Sequence, residues 1–488
     1  MYLGIDLGTS GVKAVLVDDR QDIVDQANAP LAVDRPQPLW SEQNPDDWWH
    51  AVDKVMLTLK RNHPMQLAAV RGIGLAGQMH GATLLDASDH VLRPAILWND
   101  GRSRSECAVL EAREPASQKI TGNIVMPGFT APKLVWVARH EPEIFAQVAK
   151  VLLPKDYIRL RMTGEHISDM SDASGTLWLD VASRDWSDIM LMASGLSRDQ
   201  MPHLVDGNKP AGSLRKKIAS KWGMGAGVII AGGGGDNAAA AVGVGAVEPG
   251  RAFLSLGTSG VLFVTNAAFS PNPEQAVHAF CHCLPSIWHQ MSVILSAADC
   301  LSWVTALTGA VGEASLLAEV EAAGDRPGEL VFLPYLSGER TPHNDPKAMG
   351  VFFGLDHKTD RAALARAVLE GVAFAFADGQ DALLATGTTI GDISVVGGGA
   401  RSPYWGRILA SALGRPLFYH TGCESGPAFG AARLARLAVT GDNPLSICTA
   451  PATNRIVEPD ANLAEPYHTR RSVYRRLYQT LRAEFNRR

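Results

Sequence analysis

Two short segments of the chain are identical. Residues 7–12 read LGTSGV, and residues 256–261 read LGTSGV again, 249 positions later. A Gly-Thr-Ser-Gly turn gathers backbone N–H groups and the Thr and Ser hydroxyls into one small concavity. Such nests bind anions, phosphate above all. Two of them on two similar units would clasp a polyphosphate from opposite sides. Their flanks differ. Asp6 and Lys13 border the first copy, where Ser255 and Leu262 stand in the second. Only the first offers a carboxylate for Mg2+ and a cation for phosphate. Each turn by itself reads equally well as an ordinary hairpin; the pair favours phosphate binding.

A third segment, GGGGDN at 232–237, follows the apolar run GVII and precedes an alanine run. It sets Asp236 at or near a helix N-terminus. A carboxylate there is more often a cap than anything else. The glycines ask for more, since a bare loop leaves room for a substrate hydroxyl to reach a general base. GGGARS at 397–402 is another glycine loop, fit either to hold an adenosine or simply to turn the chain.

Other patterns carry less. GIGLAG at 72–77 matches GxGxxG, but the QMHGATLLD after it reads as turn and strand, where a dinucleotide site needs a helix. His278, Cys281, His282 and Cys283 divide between opposite strand faces, so core packing outweighs a metal cluster. The C-terminal segment 470–488 carries seven arginines beside a Val473, Leu477, Leu481 stripe, which predicts a surface helix with a solvated basic face. Neither a P-loop motif nor the protein-kinase set is present.

Elements must aim these loops. Strand, turn, strand is expected around each LGTSGV, with Leu3, Ile5 and Leu7 on one strand face and Asp6 on the other. A helix is expected from Asn44-Pro45, then a strand at Ala69–Gly74. In the second half a long helix precedes the strand ISVV. Ser402-Pro403 opens a further helix that Gly414 ends, and GPAFGAARLARLAVTG forms another. The repeat and this grammar predict an α/β protein of two duplicated domains, 1–246 and 247–488, divided near Glu248-Pro249-Gly250.

The 488 residues, 46% of them hydrophobic, suffice for more than one core. A net charge of −5 argues against nucleic-acid and membrane-surface partners. Six cysteines in so long a chain read as free thiols in a reducing, cytoplasmic setting. The N-terminus lacks a basic n-region, and Asp236 and Asn237 interrupt the one run that resembles a membrane span.

Over nearly its full length the chain resembles the FGGY carbohydrate kinases. The segments are GIDLGTSGVK, GFTAPKLVWVARH, GGGGDNAAAAVGVG, SLGTSGV, LSGERTPH, GVFFGL…ARAVLEG and GGGARSPYW, in the family's order. GQMHGATLLD at 77–86 and LWNDGR at 97–102 bring it nearest the xylulose-phosphorylating branch. Ala363 departs from the polar or acidic residue usual in the second signature. The resemblance implies two actin-like (ribonuclease-H-like) domains around a cleft, and ATP- and Mg2+-dependent phosphorylation of D-xylulose at its 5-hydroxyl. It assigns Asp6 to metal and phosphates, and Gly8, Thr9, Ser10 and Lys13 to the first phosphate loop. Gly257 and Thr258 fall in the second, Gly398, Gly399 and Ala400 beside adenosine. Asp236 is the implied base, and Met79, His80, Asp236 and Asn237 face the sugar. Asp100 and Arg102 are further polar site residues, and Glu339 and Arg340 have no role assigned. A ribulose or polyol kinase and an actin- or chaperone-like ATPase are the alternatives. The oligomeric state, a homodimer included, stays open.

Overall fold

The computed structural model describes residues 1–324, 326–422 and 426–487. Its first sheet is built from β1 (Tyr2–Leu7), β2 (Gly11–Val17), β3 (Ile23–Pro30), β4 (Gly72–Gly77), β5 (Pro210–Ser213) and β6 (Ile229–Ala231), with Gly234–Gly235 added beside β4. The order is β5-β6-β4-β1-β2-β3. Strands β1, β4 and β6 run parallel, and β1-β2-β3 is an antiparallel meander. Helix α1 (Pro45–Asn62) covers one face. Asn44 caps it by accepting from Asp46 N–H at 3.1 Å, and Pro45 occupies its first position. Trp48, Val52 and Val55 of α1 meet Leu3, Ile5 and Leu7 in one buried cluster, the strand face that alternation predicts. Strand β4 starts three residues later than Ala69. Pro64–Ala68 is a short helix that uses up the preceding chain.

Helix α2 (Asp236–Val244) closes this half, and the second sheet repeats the pattern. Its strands are β7 (Ala252–Leu256), β8 (Gly260–Asn266), β9 (His278–Cys281), β10 (Trp288–Ile294), β11 (Ile393–Val396), β12 (Leu417–His420) and β13 (Thr453–Val457). The order is β9-β10-β8-β7-β11-β12-β13, with β7, β11 and β12 parallel. Strands β7, β8 and β10 thus hold the places of β1, β2 and β3, and the two LGTSGV turns occupy equivalent corners. Helix α3 (Arg361–Leu384) is the long one, α4 (Pro403–Leu413) is capped by Ser402 and ended by Gly414, and α5 spans Gly426–Thr440.

Helix α5 belongs to the second half of the sequence yet lies against the first sheet. A Cβ on Gly4 would sit 1.8 Å from Ala428 O, and one on Gly74 1.9 Å from Ala431 O. Helix α2 packs on α5 just as closely, since a Cβ on Gly430 would reach Ala239 O at 1.8 Å. Side chains are absent where these backbones meet, so the two helices form a tight joint between the halves.

The final helix, α6 (Ala461–Phe485), differs from its sequence reading. Its buried stripe is Tyr467, Tyr474, Tyr478 and Phe485. Three of its arginines are paired: Arg470 with Glu370, and Arg471 and Arg475 with Asp378 and Asp381, all on α3, while Arg476 and Arg482 are exposed as expected. Among the described residues no helix is long and apolar enough to cross a membrane; the glycine-rich run before Glu248 is strand, loop and helix.

Candidate active site

A cavity of about 270 Å³ opens between the halves. Met79, His80, Trp98, Asp236 and Asn237 line it from the first half, and Ser255, Ser259, His278, Phe280 and Arg340 from the second. Asp236 enters at the first turn of α2. Its Oδ1 accepts from Asn237 N at 2.7 Å and Asn237 Nδ2 at 2.9 Å, leaving Oδ2 for the cavity. Burial pushes its carboxyl up to about 6 against these two hydrogen bonds. A carboxylate poised there can take a proton near neutral pH.

The preceding glycines are explained by protein packing, not by open space for substrate as the sequence suggested. A Cβ on Gly233 would lie 2.1 Å from Leu75 O, and one on Gly235 2.9 Å from Met79 Cγ. Beneath them lies a buried ionic knot. Lys155 Nζ holds Asp156, Asp169 and Asp172 at 2.7, 2.8 and 3.0 Å. Arg159 donates to Gly232 O, and Ser171 Oγ accepts from Gly235 N at 3.1 Å. The loop that delivers Asp236 is thereby fixed from below.

Asp6 stands at the end of β1, opposite Lys13 on β2. Burial, with the charge of Asp236 adding and that of Lys13 opposing, pushes its carboxyl up to about 7. Its Oδ1 is buried with no hydrogen-bond partner. A hard oxygen donor left unsatisfied beside a second carboxylate suits Mg2+. Among the described residues no group of three or more His, Cys, Asp or Glu could hold a metal by itself, so His278 and its neighbours form no such cluster.

The first turn is braced. Thr9 Oγ1 donates to Gln78 Oε1 and accepts from Trp98 Nε1, both at 2.9 Å, and Gln43 Nε2 donates to Thr9 O at 2.7 Å. Ser10 O receives Leu31 N–H at 2.9 Å. In the second turn Gly257 O and Thr258 O accept from Ala298 N and Ala297 N, each at 2.8 Å. Gly399 abuts Leu256, where a Cβ would fall 2.5 Å from Leu256 Cγ. The short turn Gly398–Arg401, which includes Ala400, therefore adjoins the second hairpin. A cleft of about 500 Å³ runs from Gly397 and Gly398 to Tyr419 and Arg455, well placed for a base and ribose.

His80 has a left-handed backbone, φ 68°. Lys133 Nζ and Thr130 Oγ1 hold its carbonyl at 2.8 and 3.1 Å, which over-determines a conformation most side chains avoid. Its Nδ1 donates to Gly175 O at 2.6 Å. Burial, then the nearby Lys133 charge, lowers the imidazole to about 3, so the ring is neutral and Nε2 is an acceptor. Asp100 and Arg102 do not line the cavity. Arg102 forks onto Asp100 at 2.9 and 2.7 Å, reaches Glu42 at 2.6 Å and stacks on Trp40. Trp98, two residues earlier in the same segment, lines it instead. His278, expected in core packing, is buried but stacks its ring on Phe280 in the cavity wall.

Family models decide what this arrangement belongs to. The N-terminal domain of the FGGY family of carbohydrate kinases matches residues 1–243, and its C-terminal domain matches 252–439. The chain belongs to the FGGY family of carbohydrate kinases. It is 56% identical to the xylulose kinase of Escherichia coli (strain K12) over 99% of both chains. A crystal structure of a "xyloylose kinase" from Brucella ovis superposes with TM-score 0.96 at 56% identity, covering 99% of each chain. The xylulose kinase of Rhodospirillum rubrum gives 0.91 at 30% identity, again over 99% of each. As an FGGY kinase the chain is a phosphotransferase with the actin-like fold that the duplicated sheets display. The chaperone-like ATPase and dinucleotide readings end here, and GIGLAG is simply strand β4.

Proposed function

We propose that the chain is an ATP-dependent D-xylulose kinase that forms D-xylulose 5-phosphate in the cytoplasm, with Asp236 as general base. The observation that carries this is Asp236 itself: a buried carboxylate with a raised pKa at the wall of a sugar-sized cavity that Ser255 and Ser259 of the second hairpin also line, its charge acting on Asp6 beside the first hairpin. The relatives named above supply the sugar. The five described cysteines are unpaired, in keeping with a reducing interior.

The 5-hydroxyl lies against Asp236, which accepts its proton as the O5–P bond forms and the bond from the γ-phosphorus to the β,γ-bridging oxygen breaks. ADP leaves. Lys13 and the hairpin N–H groups of Thr9, Ser10 and Thr258 hold the phosphates, Gly8 and Gly257 shape the two loops by closing their N–H groups onto Gly11 O and Ser259 O, and Gly398–Ala400 flank the adenosine. Asp6 would hold Mg2+, which when bound neutralises phosphate charge. Met79, His80 and Asn237 shape the sugar's end of the cavity. Asp100 and Arg102 brace the same wall from behind, because Lys133, which carries His80 O, lies within reach of their charges.

The test is a panel of ketoses and polyols with ATP, followed by ADP release and product mass. D-Xylulose should give the fastest turnover and a singly phosphorylated product. Faster turnover of D-ribulose or a polyol would replace the substrate; ADP release independent of any sugar would remove the kinase reading.

A further inference from the structure

Arg340 enters the cavity from the second half, on a segment whose position is closely fixed. Glu339 Oε1 accepts from Leu295 N and Arg340 N at 3.0 and 2.8 Å, and Thr341 N donates to Val293 O at 3.0 Å. The guanidinium is oriented by a short chain of hydrogen bonds. Asn123 Oδ1 accepts from Ala279 N–H at 3.2 Å, so that oxygen is the acceptor side of the amide. His278 Nδ1, 3.4 Å from the same oxygen, must then carry the proton. His278 Nε2 is left to accept from Arg340 Nη1 at 3.4 Å. Among the described residues no carboxylate forms an ion pair with Arg340. Its other N–H groups remain for a ligand, whereas Trp98 Nε1 donates to Thr9 and one N–H of Asn237 Nδ2 to Asp236.

Arg340 lies at the histidine end of the cavity. Its Nη1 is 3.4 Å from His278 Nε2, the His278 ring stacks on Phe280, and the Phe280 ring packs edge-on against His80 with 6.2 Å between centroids. A sugar whose terminal hydroxyl meets Asp236 therefore presents its other end to Arg340 and His80. For a 2-ketopentose that end is an α-hydroxyketone. Phosphorylation at O5 needs that oxygen free, and the furanose ring consumes it, so the reacting sugar is acyclic and carries a true carbonyl. A carbonyl only accepts, and a guanidinium only donates. The neighbouring hydroxyl can donate, and His80 Nε2 only accepts.

We infer that Arg340 donates to the substrate's C2 carbonyl while His80 Nε2 accepts from the adjacent hydroxyl, so that the pair selects a ketose over the corresponding polyol. This rests on the ketose-kinase reading above. Replacing the carbonyl by a hydroxyl, as in D-arabinitol, exchanges a planar pure acceptor for a group whose own hydrogen must turn away from the guanidinium, while the acceptor beside it, His80 Nε2, is already taken by the neighbouring hydroxyl.

The experiment compares kcat/KM for D-xylulose and D-arabinitol in wild type, Arg340→Lys and Arg340→Met, with the KM for ATP and the melting temperature measured alongside. Arg340→Met should lower kcat/KM for D-xylulose on the order of 10²-fold, mostly through KM, and change D-arabinitol by less than about threefold. Arg340→Lys, still a donor but not a fork, should fall between. The KM for ATP should stay within about twofold. Equal losses for both sugars, or a loss in kcat alone, would overturn the assignment. Should Arg340→Met not fold, Arg340→Lys and Arg340→Gln carry the same comparison of sugar ratios. If wild type phosphorylates no ketose, the functional reading falls and this inference with it. If it phosphorylates D-xylulose and the ratio is unmoved, only Arg340 is wrong.

Discussion

The two LGTSGV hairpins share six residues and yet differ in register. In the first, Leu7 opposes Val12 and Asp6 opposes Lys13. In the second, Leu256 opposes Gly260, one residue tighter, and Ser255 opposes Val261. A shift of one residue exchanges the faces of a strand. The first hairpin thus sets a carboxylate and an ammonium side by side at the catalytic corner, whereas the second sets a hydroxyl beside an apolar side chain. Their supports differ as well. Thr9 is tied into Gln43, Gln78 and Trp98 of its own half, while Thr258 is exposed and makes only a backbone contact. On the proposed function both nests hold phosphate, and the rest of the work is divided: metal and proton chemistry beside the first, adenosine beside the second.

The sharpest break of this comparison is at Asp236, which only the first half supplies. Asp236→Asn keeps shape and the joint with α5 but removes the proton acceptor. Turnover should fall about 10²–10⁴-fold, with nucleotide binding by calorimetry retained. Near-normal turnover would take Asp236 out of the mechanism. Next is Asp6→Ser, which gives the first hairpin the residue of the second. The loss of a metal ligand beside the transferring phosphate should lower kcat on the order of 10²-fold and flatten the Mg2+ dependence. An unchanged Mg2+ titration would mean that the halves are less divided than their residues suggest.

The same asymmetry predicts an acid limb. The base must be ionised to act, and its folded pKa is raised to about 6, so kcat/KM should rise with pH through that value. Asp6, raised to about 7 partly by Asp236, adds a second protonation in the free enzyme, and the two titrate as a pair. Activity measured from about pH 5 to about pH 8 should show a limb steeper than one proton in wild type. Asp6→Ser should reduce it to a single protonation near the lower value. An unaltered slope in that variant would show that Asp6 and Asp236 do not titrate together.

Much of this division was readable from the sequence, because it rests on local signals. The repeat, the caps at Asn44 and Ser402 and the placing of Asp236 at a helix start each rest on a few neighbouring residues, and their elements formed as expected. What was not readable depends on contacts far along the chain. The role of the GGGG run turns on Leu75, Met79 and Ser171. His278 looks like strand core until Asn123 and Arg340, 155 and 62 residues away, are seen beside it. Arg471 and Arg475 of α6 read as solvated because their partners Asp378 and Asp381 lie on another helix. The resemblance points to Asp100 and Arg102, yet their charges satisfy each other, and the neighbouring indole of Trp98 reaches the cavity.

The smallest effect separates the two threonines. Thr9→Val removes a hydroxyl that already has two protein partners, Gln78 and Trp98, so its loss is felt in the fold. A net cost of about 1 kcal/mol in unfolding free energy is expected, with the KM for ATP within about twofold of wild type. Thr258→Val removes an exposed hydroxyl at the tip of the other hairpin. Its expected partner is a charged phosphate oxygen, and such hydrogen bonds contribute about 1.5–3 kcal/mol. The KM for ATP should therefore rise about tenfold or more while unfolding is unchanged. Valine is nearly isosteric with threonine, so neither change opens a cavity. The pair of variants gives a two-by-two measurement of denaturant midpoint and KM for ATP, and the division of labour requires the effects to cross. If both variants moved only the KM for ATP, the Thr9 hydroxyl would be a phosphate ligand like that of Thr258, and Gln78 and Trp98 would merely hold it in place.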